Sequence, residues 1–346
     1  MKKLYFLLVF TLGLLIESRA QDPQFSQFYA APLYLNPGFT GITYSQRVTF
    51  NSRVQWPNLP QAYSTSLVSY DIFVPALKSG FGVMAMRDKI GSGGLNLINA
   101  GFLYSYKIRA SDRWVFSPGI YFGYGSMKID KDKLLFGDGL GDVNVSNDPI
   151  IDRLSNEQYF DFGSGIVIYN KNLWLGFSAY HINKPNQSLS ENTDQLAIKY
   201  NINGGLRFEL KNGLRTSTRV TYLTPSFVYR RQGSFQQLDF GVQYHIDPIV
   251  LGIWYRGIPF LKDFSDRPVR DALVFNIGLQ FKDFQFGYSY DFTISQLETT
   301  AAGSHEISMA YEFLAKPIRG RVKKNVRLLE CPGFYKRKDF WGGGKK

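Results

Sequence analysis

From about Ser45 to Phe313 the chain is built of segments of about ten residues in which apolar and polar positions alternate. That is the period of a strand with one apolar and one polar face. The clearest places Phe284, Phe286, Tyr288, Tyr290 and Phe292 on one face and Gln285, Gly287, Ser289 and Asp291 on the other. Ile98, Ala100, Phe102, Tyr104 and Tyr106 alternate in the same way with Asn99, Gly101 and Ser105. Leu273, Phe275, Ile277, Leu279 and Phe281 do so with Asn276, Gly278 and Gln280. The pattern predicts about fourteen strands, at 45–55, 61–73, 79–87, 95–108, 112–126, 158–169, 172–182, 198–210, 214–223, 235–245, 248–257, 270–281, 283–292 and 304–313. Their connectors alternate between tight turns (Ala110-Ser111, Asn170-Lys171, Lys211-Asn212-Gly213, Asp247-Pro248, Lys282-Asp283) and mostly longer stretches, of which Met127 to Glu157 is the longest.

A soluble sandwich needs polar outward faces, whereas most of these strands carry an aromatic or aliphatic face with Tyr and Phe at its ends. Outer-membrane barrels combine an even number of antiparallel strands, aromatic girdles, short periplasmic turns and longer external loops. The expected fold is therefore all-β, a transmembrane antiparallel β-barrel of about 14 strands over residues 45–313 with both termini periplasmic. Its polar face, rich in Gly, Ser and Asn, would line the lumen.

Three segments fall outside the alternation. Lys2 and Lys3, the apolar run Leu4 to Ile16 and Ser18-Arg19-Ala20 have the form of a secretory signal peptide over residues 1–20. Residues 21–44 contain Pro23, Pro32 and Pro37 and no period, which excludes a central strand or a long helix. This stretch is expected to enter the lumen as a plug-like segment, with Phe25, Phe28, Tyr29 and Phe39 against the inner wall. Residues 314–346 form a basic periplasmic arm broken by Pro317, Pro332 and a Gly342-Gly343-Gly344 run.

Composition sharpens this picture at two points. Hydrophobic residues make up 44% of the 346-residue chain, yet mean hydropathy is only −0.18. Beyond the N-terminus no run approaches the roughly 20 apolar residues of a spanning helix. The net charge of +12 is concentrated in the arm, where eleven basic residues face Glu330 and Asp339 for a local net of +9. An exported chain meets no chromosome, so the charge is read as a protein-docking or envelope-docking feature and not as a nucleic-acid site. Lys316, Arg319, Arg321, Lys323, Lys324, Arg327, Lys336, Arg337 and Lys338 supply charge, and Phe334, Tyr335 and Trp341 supply aromatic anchors. The single Cys331 makes no intrachain disulfide.

Catalytic chemistry finds little support. The histidines are His181, His245 and His305, on separate predicted strands without zinc-ligand spacing. In Ser304-His305-Glu306 adjacent side chains point to opposite faces, which cannot assemble a nucleophile, base and orienter. Asp138, Asp142 and Asp148 offer oxygen ligands for calcium on a Gly-rich stretch. Without the EF-hand pattern and its terminal Glu, a solvated external loop is the preferred reading. Gly91-Ser92-Gly93-Gly94 is read as a hairpin turn. No enzyme activity, cofactor or metal is expected.

Asp22-Pro23-Gln24-Phe25-Ser26-Gln27-Phe28-Tyr29, followed by Pro32-Leu33-Tyr34-Leu35-Asn36-Pro37-Gly38-Phe39-Thr40-Gly41, resembles the start of mature PorP/SprF family proteins. Arg53-Val54-Gln55-Trp56-Pro57, Ser69-Tyr70-Asp71, Tyr288-Ser289-Tyr290-Asp291-Phe292-Thr293 and Gly303-Ser304-His305-Glu306-Ile307-Ser308 continue the resemblance in order as far as Phe313. The resemblance implies an outer-membrane barrel of the type IX secretion and gliding machinery, which anchors or assembles secreted surface proteins. Expected partners are secretion-system envelope proteins or lipoproteins, secreted surface proteins, outer-membrane lipid and a peptidoglycan-associated protein. The alternative function is a channel for small or lipophilic solutes.

Overall fold

The computed structural model describes residues 21–43, 46–58, 62–91, 94–130, 156–189, 194–210, 221–262, 268–281, 283–294 and 303–313. Its strands in chain order are β1 (Gln46–Gln55), β2 (Tyr63–Val74), β3 (Ser79–Ile90), β4 (Leu95–Tyr106), β5 (Ile108–Arg109), β6 (Val115–Lys128), β7 (Glu157–Tyr169), β8 (Leu173–Tyr180), β9 (Lys199–Leu206), β10 (Phe208–Leu210), β11 (Thr221–Gln232), β12 (Phe235–Ile246), β13 (Ile249–Lys262), β14 (Pro268–Phe281), β15 (Phe284–Thr293) and β16 (Ser304–Phe313). The short β5 and β10 continue β4 and β9, giving a closed antiparallel barrel of 14 staves. Closure is made by β1 on β16, from Gln46 opposite Phe313 to Gln55 opposite Ser304.

Alternation sets which face each residue occupies. In β15 Gly287, Ser289 and Asp291 are buried towards the lumen while Phe284 and Phe292 are exposed outside. Ile120, Phe160 and Phe275, each about half exposed, belong to the same outer surface. Facing lipid, this surface needs no polar cover, and closing the sheet leaves no unpaired edge in the bilayer.

One expected strand is displaced. The sequence predicts a strand over 214–223, whereas β11 occupies Thr221–Gln232 and turns directly into β12 at Gly233. Residues 214–220 and the turn at 211–213 lie outside the described residues. Pro225, which donates no hydrogen bond, is tolerated inside β11 because it sits where the neighbouring stave breaks between β9 and β10. Pro118 in β6 occupies the equivalent position opposite the break between β4 and β5. At both breaks a cationic residue donates its backbone N–H to a turn, Lys107 to Lys78 and Arg207 to Asn172.

Residues 21–43 lie inside the barrel. They contain two short 3₁₀ turns, Phe28–Ala30 and Pro37–Phe39, on either side of a single α-helical turn, Pro32–Leu35. Asn36 begins the second 3₁₀ turn and accepts the Gly38 N–H at 2.8 Å through Oδ1. Asp22 is held beside Gln232, His181 and Lys199 at the mouth carrying the longer connectors. Gly41 is bound to Asp71 near the opposite, tight-turn mouth, where β16 ends at Phe313. The segment thus runs the length of the lumen, and Asp22 and Phe313 sit at opposite mouths.

Candidate functional site: the luminal contact between inner segment and wall

A chain entering a barrel brings backbone N–H and C=O groups that the wall must satisfy, because the unpaired groups would be costly in a closed lumen. The wall does this at successive levels. At the long-loop mouth, the Asp22 N–H donates to Gln232 Oε1 at 3.0 Å, and Asp22 Oδ2 lies 2.8 Å from His181 Nε2 and 3.1 Å from Lys199 Nζ. His181, just beyond β8, is itself flanked by Asp161, whose Oδ1 is 3.0 Å from Nδ1. That contact has ion-pair distance without hydrogen-bond alignment. Burial works against ionisation of Asp22, but the charges of His181 and Lys199 outweigh it and hold the carboxyl well below its usual range. Burial likewise opposes the His181 imidazolium, and Asp22 and Asp161 reverse this and raise its pKa to about 9. The Tyr34 phenol donates to Pro23 O at 2.7 Å.

One level deeper lies the densest group. Glu306 of β16 accepts the backbone N–H groups of Ser26 and Gln27 at 2.7 and 3.0 Å. Ser26 Oγ donates to Asp291 Oδ2 at 2.7 Å and accepts from Arg53 at 2.6 Å and from Arg256 at 2.7 Å. The two guanidiniums also bind Asp291 directly, at 2.8 and 2.7 Å. Arg256 continues to Asp239 at 3.2 Å, which Arg230 meets at 2.6 Å. β1, β11, β12, β13, β15 and β16 each contribute one charged residue, and all six are buried. The serine hydroxyl of the inner segment lies at their centre. Gln27 extends the contact to Ser289, Ser308 and the Glu306 carbonyl.

Apolar packing flanks this group. Phe28 meets Trp254 edge-on, with centroids 4.9 Å apart, and Tyr29 stacks on the same indole at 6.5 Å. Asn276 donates to the Tyr29 hydroxyl at 2.9 Å. Phe25 and Leu33 pack with Leu67, Met84, Leu103 and Tyr121. Phe28, Leu35 and Phe39 pack with Val115, Val167, Trp174 and Val228.

Towards the tight-turn mouth, Lys107 Nζ donates to the carbonyls of Gly38 and Thr40 and to Ser117 Oγ at 3.2, 2.8 and 2.7 Å. Asp71 accepts the Gly41 N–H at 2.8 Å while paired with Arg47 at 2.9 Å. The inner backbone here presses on the wall itself. A methyl group at Gly80 or Gly119 would fall inside van der Waals contact of the Thr40 or Pro37 carbonyl. Glycine is required at both positions by close approach and not by backbone conformation.

Of the residues singled out from sequence, Phe25, Phe28 and Phe39 are buried in the lumen and Tyr29 is partly buried beside them. His305 faces outward, with Nδ1 2.8 Å from the Tyr288 hydroxyl, while Ser304 and Glu306 face the lumen. Asp138, Asp142 and Asp148 lie outside the described residues. So do Lys316, Arg319, Arg321, Lys323, Lys324, Arg327, Phe334, Tyr335, Lys336, Arg337, Lys338 and Trp341. Among the described residues no group of three His, Cys, Asp or Glu side chains is placed to hold a metal ion. Sequence reasoning missed the luminal charges Arg53, Arg230, Asp239, Arg256, Asp291 and Glu306 and the ammonium of Lys107. Their signal was present for the strand residues as charged side chains at inward positions of otherwise small, polar faces.

Comparison with known proteins adds the following. Solved structures similar to this chain include the P. putida toluene transporter TodX, with 11% identity, TM-score 0.46, and coverage of 81% of this chain and 93% of that one. The Ralstonia pickettii toluene transporter TbuX has 9% identity and TM-score 0.45, covering 82% and 93%. The Acinetobacter baumannii outer membrane protein Omp33 has 6% identity and TM-score 0.37, covering 80% and 100%. No curated protein matches the sequence. The profile of the type IX secretion system membrane protein family PorP/SprF matches residues 17–311. With that match across most of its length, on a chain folded as an outer-membrane β-barrel, this protein belongs to the PorP/SprF family of type IX secretion system membrane proteins.

Proposed function

We propose that the chain is a non-enzymatic assembly and anchoring component of the type IX secretion and gliding machinery, with a lumen sealed by residues 21–43. Its longer connectors would face secreted surface proteins, and the basic arm from Lys316 would face envelope proteins of the machinery. The observation that supports this reading is the binding of the inner segment by the barrel wall. The inner segment is bound along its whole length by buried side chains of the wall, and its serine completes a charge network drawn from six strands. A conducting pore needs a continuous aqueous path. Beside Phe25, Phe28, Tyr34, Lys199 and Arg230 the inner segment leaves a cavity of about 10 Å³, the space of roughly one water.

Two experiments test the proposal. In planar bilayers the intact chain is expected to be silent, whereas deletion of residues 22–41 opens a measurable conductance. Porin-like conductance from the intact chain would favour the channel reading. In affinity purification from native membranes the intact chain is expected to retain secretion-system and secreted proteins. Truncation after Ala315 should keep the barrel inserted and lose the periplasmic partners. Retention of every partner by the truncated chain would remove the arm from the proposal.

A further inference from the structure

The outward rows of the strands change character towards the long-loop mouth. In β11 the lipid-facing positions run Leu223, Pro225, Phe227 and Tyr229, and the next is Arg231. In β3 Phe81, Val83 and Ala85 are followed by Arg87 and Lys89, and β6 ends its outward row at Lys128. Each row crosses from apolar to cationic at the same end of the barrel. An apolar surface ending in Tyr and then in cations marks the level at which hydrocarbon gives way to headgroups.

At one point on this rim the cations line a groove. Lys184, Leu196, Ala197, Ile198, Tyr200 and Arg231 surround an open cavity of about 350 Å³ outside the barrel, within the size range of small-ligand sites. Tyr200 lies opposite Arg231 in the register of β9 and β11 and is 40% exposed. Lys184 is presented by a rigid turn. Its N–H donates to His181 O at 2.9 Å, His181 and Lys184 both have left-handed backbones (φ 57° and 46°), and the His181 ring is locked between Asp22 and Asp161. Among the described residues neither Lys184 nor Arg231 pairs with an acid, and both are exposed. Two unpaired cations above an apolar and aromatic floor, at the membrane interface, complement an anionic lipid, with phosphate at the cations and acyl chain along the floor. The guanidinium can bind phosphate in bidentate fashion and the ammonium acts as a point charge.

We propose that this groove binds the phosphate headgroup of an anionic membrane lipid in the leaflet at the long-loop mouth, and so fixes the height and rotation of the barrel in the bilayer. The test uses the full chain in neutral detergent, titrated with fluorescent phosphatidic acid and with fluorescent phosphatidylcholine. Phosphatidic acid should bind at least tenfold more tightly. Lys184→Gln and Arg231→Gln should each weaken it about fivefold without altering heat-modifiable mobility, while Arg87→Gln should leave the groove unchanged. Arg231→Lys, which keeps the charge but loses the bidentate fork, should fall between wild type and Arg231→Gln. It also serves as the readout if Arg231→Gln fails to fold. Equal binding of the two lipids, or unchanged binding by the Gln variants, would overturn the site. Full displacement by millimolar inorganic phosphate would overturn the membrane-lipid assignment in favour of a free anion.

Discussion

Asp291→Asn is the sharpest probe of the luminal network. Asp291 Oδ2 accepts three donors, Ser26 Oγ at 2.7 Å, Arg53 Nη2 at 2.8 Å and Arg256 Nη1 at 2.7 Å, in a residue only 2% exposed. The amide keeps the shape but removes the charge; its oxygen can hold the Oδ2 position, with the NH2 in place of Oδ1, which has no hydrogen-bond partner. Breaking a buried ion pair by neutralising one partner costs roughly 3–5 kcal/mol, because the other charge is left uncompensated. Here neither arginine is stranded: Arg256 keeps Asp239 at 3.2 Å and Arg53 keeps Glu306 at 3.8 Å. The lower end of the range applies, about 3 kcal/mol. Trp254 supplies the assay. It is buried, belongs to the wall and contacts Phe28 and Tyr29 of the inner segment, so its emission should report loosening of that segment before the barrel unfolds. Urea titrations in detergent micelles, followed at Trp254 and by heat-modifiable mobility, should separate the two events in Asp291→Asn. Ser26→Ala in the same background should then cost less than in wild type, because the hydroxyl no longer donates to a charged acceptor, although it still accepts from Arg53 and Arg256. A stability change below about 1 kcal/mol, with Trp254 emission unchanged, would show that the charges act as a solvated surface and would refute the reasoning.

Other outcomes follow from the same geometry. Gly80→Val and Gly119→Val place side chains where the Thr40 and Pro37 carbonyls rest. The barrel should still insert and shift on heating, but residues 36–41 should be displaced, seen as new protease cleavage near Gly41 and as conductance; unchanged protection would mean that the wall yields instead. Lys107→Met keeps the stem but leaves the Gly38 and Thr40 carbonyls without the ammonium, at a cost of about 1–3 kcal/mol in urea unfolding. The mouth should titrate. His181 rises from 6.5 to about 9 in the folded chain, so its stabilising contribution is complete below pH 6.5 and is lost as pH climbs towards 9. The depressed Asp22 carboxyl contributes above its unfolded value of 3.8 and loses that contribution on acidification. Stability measured against pH should therefore fall between pH 6.5 and 9 in wild type and stay flatter over that window in His181→Gln.

The barrel was legible because its signal is local. Period-2 alternation in a strand such as β15 already assigns Phe292 to lipid and Asp291 to the lumen, and the outward surface needs only to be apolar at alternate positions. Strand count and most turns follow from the same pattern. It misled at Pro225, whose tolerance depends on a break in a neighbouring stave 18 residues upstream, at Arg207. The interior could not be read in this way. Asp291 and Arg53 are 238 residues apart, and Ser26 and Glu306 are 280 apart. In sequence each charged residue is only another polar position on an inward face. Which charges meet, whether a serine completes them, and where Gly80 lets the backbone pass depend on the rotational order of the staves and the path of residues 21–43 through the lumen. Alternation assigns a face to each residue, but only closure of the sheet decides which inward faces oppose one another across the barrel.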